Sequence, residues 1–233
     1  MTCAHPSTDI SAGSAGIAVA TDSRLRRSVD IVVATTGLAL SSPMLLALVA
    51  AVRLSSRGPA IYRQTRVGRD EHLFKIWKFR TMVAEADRDG PMVSGRADPR
   101  VTPLGRRLRS SRLDELPQLV NLLRGDVTLI GPRPEVLRFL DFYTRDERQL
   151  MRVRPGIIGP GALLFATAQA DELDDLGDPD GYYAAHHLHP KLALDLDYLR
   201  DRTLRRDLKL VAHAAGLCAG GGPRRPRSGE LML

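Results

Sequence analysis

Apolar residues run almost unbroken from Val29 to Val52. About 24 such residues are enough to cross a bilayer as one helix. Two features predict a different path. Ser41-Ser42-Pro43 falls mid-run, where proline interrupts the helical ladder and bends the chain. Arginines also flank both ends: Arg24, Arg26 and Arg27 before, Arg53 and Arg57 after. Positive charge favours the cytoplasmic side, so both ends are expected there. A re-entrant helix-hairpin that enters and leaves one leaflet satisfies both features. The hydroxyls of Ser41 and Ser42 would then partner backbone groups that Pro43 frees. A signal peptide fits poorly, because the basic cluster is far from Met1 and the apolar run is too long. A buried soluble helix is the plain alternative.

Beyond the run, the periods shorten. Ala60–Gln64 and Leu73–Arg80 alternate as short strands. Ala84–Arg88 reads as a short polar helix leading into a Gly/Pro-rich loop. Pro103–Ser110 reads as a basic helix with Arg106, Arg107 and Arg109 exposed, suited to a membrane interface. Leu116, Leu119, Val120 and Leu123 share one helical face, with Pro117 in the first turn and Gly125 as the stop. A short apolar strand and the loop Pro132-Arg133-Pro134 follow. Pro134–Leu150 reads as one or two helices, and Arg152–Gly161 as a turn-rich loop. Lys191–Arg202 and Leu204–Leu217 read as amphipathic helices. The expected class is α+β and mostly helical, with a few short strands. The expected segments are a disordered tail (1–22), a membrane segment (23–53), one catalytic domain (54–217) and a second disordered tail (218–233).

Composition narrows the partners. The 233 residues carry a formal net charge of +7 and a pI near 9.9, nearly all of it from arginine. That balance points to anionic partners such as nucleotide phosphates, anionic lipid or nucleic acid. Aromatics make up only 5%, and no zinc-finger or RNA-stacking motif appears, which weakens nucleic acid. Cys3 and Cys218 sit near opposite ends and read as free thiols. The acidic stretch Asp171–Asp180 matches no calcium motif and reads as a solvated loop. His186, His187 and His189 lack a second ligand cluster, so no metal site is expected there.

The chemistry gathers in Ser111–Glu135. Asp114 and Glu115 are expected at a helix N-terminus, which stabilises carboxylates and attracts phosphate. A carboxylate can attack phosphorus and carry a phosphoryl group. Its neighbour can hold Mg²⁺ or handle protons. Arg133, stiffened between two prolines, offers a planar fork to phosphate oxygens. Lys75, Lys78 and Arg80 add basic side chains nearby in sequence. The plain alternative is a capped amphipathic helix followed by a turn, with the basic residues on a solvated face.

Several co-linear blocks carry a resemblance: Leu113-Asp-Glu-Leu-Pro-Gln-Leu119, Asn121-Leu-Leu-Arg-Gly-Asp126, Gly131-Pro-Arg-Pro-Glu135, Gly58-Pro-Ala-Ile-Tyr-Arg-Gln64, Phe74-Lys-Ile-Trp-Lys-Phe-Arg-Thr-Met82 and Arg154-Pro-Gly-Ile157. Over Arg24–Leu217 the chain resembles the bacterial sugar transferases, the monotopic polyprenyl-phosphate glycosyl-1-phosphate transferases. The resemblance implies a membrane protein of the cytoplasmic (inner) membrane with its catalytic domain on the cytoplasmic face. It implies a UDP-sugar donor, a polyprenyl (undecaprenyl) phosphate acceptor, and Mg²⁺ or Mn²⁺. It implies Asp114 as covalent nucleophile and Glu115 as metal ligand, proton carrier or both. Arg133, Arg112, Lys78 and Arg80 would bind phosphate, Lys78 and Arg80 being favoured over Lys75. It supports a helix break at Ser41, Ser42 and Pro43, and a minimal single-domain member of the family. The chain departs from the family pattern between Ile158 and Phe165, which bears on the sugar rather than the reaction type. A membrane-tethered, Arg-rich nucleic-acid-binding or scaffold protein is the competing class; it explains the charge but not the Asp-Glu pair.

Overall fold

The structure is a computed structural model that describes residues 23–86, 90–165, 172–174 and 176–218. The expected disordered tails lie outside these residues, apart from Cys218 at the end of the last helix. The described chain is mostly helical, with four short strands and one long apolar N-terminal helix.

That helix, α1 (Arg24–Ser55), begins at a serine cap: Ser23 accepts the N–H of Arg26. The pattern predicts a re-entrant helix-hairpin bent at Ser41–Pro43. The structure instead holds one helical element of 32 residues running through Pro43. The serines account for the difference. Pro43 has no N–H for the carbonyl of Ala39, and the Ser42 hydroxyl donates to that carbonyl at 2.9 Å. The Ser41 hydroxyl donates to the Gly37 carbonyl at 2.6 Å. So the proline removes a backbone donor without orphaning an acceptor.

One stripe of α1 packs on the rest of the protein along nearly its whole length. Ala34 meets Leu122 and Val127, and a methyl at Gly37 would lie 3.1 Å from Leu119. Further on, Leu45, Leu48, Val49 and Val52 pack with Ala60, Phe79 and Leu108. Asp30, in the apolar run, is only 3% exposed. Its carboxylate accepts the Thr128 hydroxyl at 2.9 Å and the Leu129 N–H at 2.9 Å. The opposite face stays open and apolar, with Leu40 80% and Leu46 72% exposed. The helix is long and apolar enough to cross a membrane.

Two small sheets carry the site. β1 (Ile61–Val67) and β2 (Leu73–Phe79) form an antiparallel hairpin with Tyr62 opposite Lys78. β3 (Thr128–Ile130) pairs with β4 (Gly156–Ile158), and the pairing is parallel. The stretch containing β4 reads only as a loop in sequence. Between them stand α2 (Pro103–Ser110) and α3 (Gln118–Arg124). Pro134–Leu150, expected to be helical, is two short 3-10 stretches, Leu137–Phe142 and Glu147–Arg152. Ala84–Ala86 forms a turn, and the rest of the helix expected there lies outside the described residues.

The main core lies in the C-terminal half, where Phe139, Leu150, Tyr183, Leu188 and Leu199 are buried. It is closed by α4 (Pro160–Phe165), α5 (Pro179–Tyr183), α6 (His189–Arg200) and α7 (Leu204–Cys218). Part of the acidic stretch is not solvated as expected. Asp180 is buried and accepts the N–H groups of Met92 and Val93 at 2.8 and 3.0 Å, and Asp174 accepts Ala97 N–H at 2.8 Å. These carboxylates hold the Gly/Pro-rich loop against α5.

Candidate active site

Asp114 and Glu115 do not open α3 as their spacing predicts. They form a separate 3-10 turn, Leu113–Glu115, because Pro117 occupies the helix N-cap position. Arg112, just before the turn, adopts the left-handed conformation (φ 57°), which turns the chain sharply into it. Leu113 and Leu116 flank the carboxylates and pack with Leu45, Leu48 and Val52 of α1. The acidic turn is therefore pinned directly to the membrane-type helix.

Only part of the apolar face that the leucines suggest anchors α3: Leu119 packs with Ala34 and Val127. Leu123 is exposed, while Gln118, Asn121 and Leu122 are buried. Asn121 accepts the Trp77 N–H at 2.9 Å and donates to the Lys75 carbonyl at 2.8 Å, so it ties α3 to β2. Gly125 (φ 88°) caps the helix, donating its N–H to the carbonyls of Asn121 and Leu122. The chain then runs through β3 to Arg133.

Three elements converge on one carboxylate. Glu115 Oε1 accepts Arg133 Nη2 at 2.5 Å and Lys78 Nζ at 3.2 Å. Burial alone would raise the Glu115 pKa, but Arg133 and Lys78 outweigh it and hold the group well below the usual carboxylate range. Asp114 behaves oppositely. It is 8% exposed, and no hydrogen-bond donor among the described residues meets its carboxylate. Burial, and then the charge of Glu115, raise its pKa, while Lys78, Arg109 and Arg112 pull it back. Adjacent carboxylates pushed in opposite directions suit two different roles.

The other predicted residues separate. Arg112 contributes charge near both carboxylates. Arg80 points away from them. Its guanidinium donates to the carbonyls of Pro59 (2.6 Å), Val52 (3.3 Å) and Ser56 (2.7 Å), so it caps the C-terminal end of α1. A side chain at Gly58 (φ 115°) would strike that guanidinium. The phosphate-binding reading of Arg80 gives way to this cap. Lys75 donates to Thr65 on an exposed edge.

Sequence reasoning missed Arg109, which it left exposed. Arg109 is half-buried, donates to Thr81 and Ser94 at 2.9 and 2.7 Å, and acts on Asp114. It also missed a charged layer behind Arg133: buried Glu135, Lys191 and Asp195, with Arg66 half-buried beside them. Polar letters inside apolar runs, such as Asp30, Asn121 and Asp195, were the available signal.

Asp195 gives a stability prediction. Burial pushes its carboxyl up to about 7, against Lys191 and the N–H groups of Gly161 and Arg133, with Glu135 adding to the rise. A carboxyl raised in the folded state lends stability that is full below its unfolded value of 3.8 and lost as pH rises through about 7. Each unit is worth about 1.4 kcal/mol. Asp195→Asn should therefore gain stability relative to wild type between pH 5 and pH 8 in thermal melts. A difference that does not change with pH would contradict this.

Among the described residues, no group of three or more His, Cys, Asp or Glu side chains is gathered for a metal ion. The site still fits Mg²⁺. That ion takes one or two carboxylates and fills its shell with water and substrate phosphate. Asp114 and the second oxygen of Glu115, neither engaged by a protein donor, are such a pair.

The profile of the bacterial sugar transferases matches residues 21–219. The chain belongs to the bacterial sugar transferase family. It is 39% identical over 196 residues to the UDP-glucose:undecaprenyl-phosphate glucose-1-phosphate transferase of Caulobacter vibrioides, covering 83% of this chain and 68% of that protein. It is 39% identical over 163 residues to the UDP-N-acetylgalactosamine-undecaprenyl-phosphate N-acetylgalactosaminephosphotransferase of Aeromonas hydrophila, covering 68% of this chain and 38% of that protein. An exopolysaccharide production protein of Rhizobium meliloti is 35% identical over 201 residues, with 80% of this chain and 81% of that protein covered. The chain thus spans under half of the Aeromonas transferase and most of the other two. A sugar transferase of this family accounts for the Asp-Glu pair and the basic residues around it. The competing nucleic-acid-binding or scaffold class gains no support.

Proposed function

We propose that this sugar transferase moves a sugar 1-phosphate from a UDP-sugar to a polyprenyl phosphate, releasing UMP. The observation that carries the reading is a buried Asp114 without a hydrogen-bond donor beside a Glu115 clamped by Arg133 and Lys78.

The reaction runs in two displacements. A carboxylate oxygen of Asp114 forms a bond to the phosphorus bearing the sugar. The bond from that phosphorus to the bridging oxygen breaks, and UMP leaves with the electron pair. An oxygen of the polyprenyl phosphate then attacks the same phosphorus. The Asp114–phosphorus bond breaks, and the carboxylate is restored. Arg133 and Lys78 each spend one donor on Glu115 and keep others for phosphate oxygens. Arg112 and Arg109 add positive charge beside Asp114. Mg²⁺ held by Glu115 and Asp114 would offset diphosphate charge and favour departure of UMP. UMP release, measured in detergent with undecaprenyl phosphate across UDP-glucose, UDP-galactose and their N-acetylated forms, tests the reading. Release with at least one donor, dependent on acceptor for turnover, is expected. No release from any donor would reject it.

The same reading sets the protein on the cytoplasmic face of the inner membrane, with α1 entering and leaving that face. Both halves of α1 pack on the catalytic domain while the outer face is open and apolar. A helix crossing the bilayer would drag its charged partner domain with it. In intact cells a membrane-impermeant maleimide should label neither Cys3 nor Cys218, and both after lysis. Labelling of Cys3 alone before lysis would mean a true span.

A further inference from the structure

The Arg133 loop is fastened from behind. Gly131 N–H donates to the Ile158 carbonyl at 3.0 Å, and Gly156 N–H donates to the Pro132 carbonyl at 2.7 Å. Arg66 Nη1 donates to the Pro134 carbonyl at 3.1 Å, and Val67 N–H to the Glu135 carbonyl at 3.0 Å. Gly159 lies directly against the loop: a methyl there would sit 3.1 Å from the Arg133 backbone nitrogen. Asp195 is 2% exposed and accepts Gly161 N–H at 2.9 Å, so one carboxylate holds the start of α4 beside the loop. One turn earlier on α6, Lys191 donates to the Tyr183 hydroxyl at 2.7 Å and lies 3.5 Å from Glu135 Oε1. Tyr183 donates to the same Glu135 oxygen at 2.7 Å. A π turn, Ala184–Leu188, separates Tyr183 from α6, a feature that recurs at functional sites.

Two buried polar side chains on one helix face, Asp195 and Lys191, therefore back the loop on both sides of Arg133. Neither touches Glu115 or Asp114. Buried charges are costly to desolvate and serve poorly as stability elements. An apolar core would fill the space at lower cost, so their presence calls for another role.

We infer that Asp195 and Lys191 are positioning residues that aim Arg133 at the phosphate. The inference rests on the transferase reading above. Asp195 fixes Gly161 and with it Gly159, which backs the Arg133 backbone, Lys191 fixes Glu135, and the two prolines transmit both constraints to the guanidinium.

A double-mutant cycle on turnover tests it, with UMP release as the readout. Asp195→Ala should lower kcat about 10- to 100-fold when Arg133 is present, an error of about 1 Å in placement being enough for the larger loss. In an Arg133→Ala background the same change should cost less than about threefold. Equal fold-losses in both backgrounds would overturn the inference, because a merely structural residue weakens both alike. If Asp195→Ala gives no cooperative melt, Lys191→Met runs the same cycle with the same two outcomes. Asp195→Asn keeps an acceptor oxygen and should restore kcat to within a few-fold; a loss equal to that of Asp195→Ala counts against the inference. Wild type without UMP release brings down the transferase reading and this inference together. Active wild type with additive losses brings down this inference alone.

Discussion

Asp114→Asn should lower turnover about 10³-fold or more while leaving the thermal melt near that of wild type. The large expected effect comes from the chemistry of the first displacement. An amide oxygen is a far weaker nucleophile toward phosphorus than a carboxylate, and no other carboxylate in the site is free to replace it. Glu115, the nearest, already has Oε1 engaged by Arg133 and Lys78, which hold it well below the usual carboxylate range. The small expected effect on stability has a separate reason. Asp114 receives no hydrogen bond from the described protein, and burial disfavours its charge. Neutralising it removes a cost rather than a contact. Steady-state UMP release and a melt on the same preparation check both halves. Turnover within tenfold of wild type would remove Asp114 from the reaction.

Arg133→Lys should cut kcat/KM by about 10²-fold, despite keeping the charge. Arg133 uses one nitrogen, Nη2, on Glu115. The rest of its planar fork remains for two phosphate oxygens at fixed geometry. A lysine ammonium would reach Glu115 or phosphate as a single point charge, duplicating what Lys78 already supplies. The loop cannot shift to compensate, because Gly131, Pro132 and Pro134 are each tied through their backbones to Ile158, Gly156 and Arg66. Wild-type kinetics for Arg133→Lys would mean the Pro-Arg-Pro loop shapes the fold without touching substrate.

The elements legible in the sequence are those set by local patterning. α1, the β1–β2 hairpin, α2 and the last two helices follow from runs and periods, and the stop at Gly125 from glycine's tolerance of the left-handed φ it adopts. The elements missed depend on distant partners. β4 is a strand only because β3 lies beside it. Asn121 breaks an apolar face because its amide bonds to the backbone of β2. Arg80 sits in a basic block near the site in sequence, yet its side chain turns to the carbonyls at the end of α1. Nothing local to Phe79-Arg80-Thr81 signals which way it turns. At Pro43 the helical assignment continues for a related reason: the Ser41 and Ser42 hydroxyls satisfy carbonyls beside the proline. The acidic turn and Arg133 were legible because their residue types are chemically specific. The layer behind them was not, because Asp195 and Lys191 are ordinary letters on an amphipathic helix until the loop packs on them.

The central claim is a covalent sugar-phosphate on Asp114. The most direct test incubates the wild-type protein in detergent with an accepted UDP-sugar and no polyprenyl phosphate, followed by proteolysis and peptide mass analysis. One equivalent of UMP per protein is expected, with a sugar-phosphate mass gain on the peptide carrying Asp114 that is lost when undecaprenyl phosphate is added. Turnover that requires both substrates together, with no mass gain on any peptide, would contradict it, as would an adduct on a different residue.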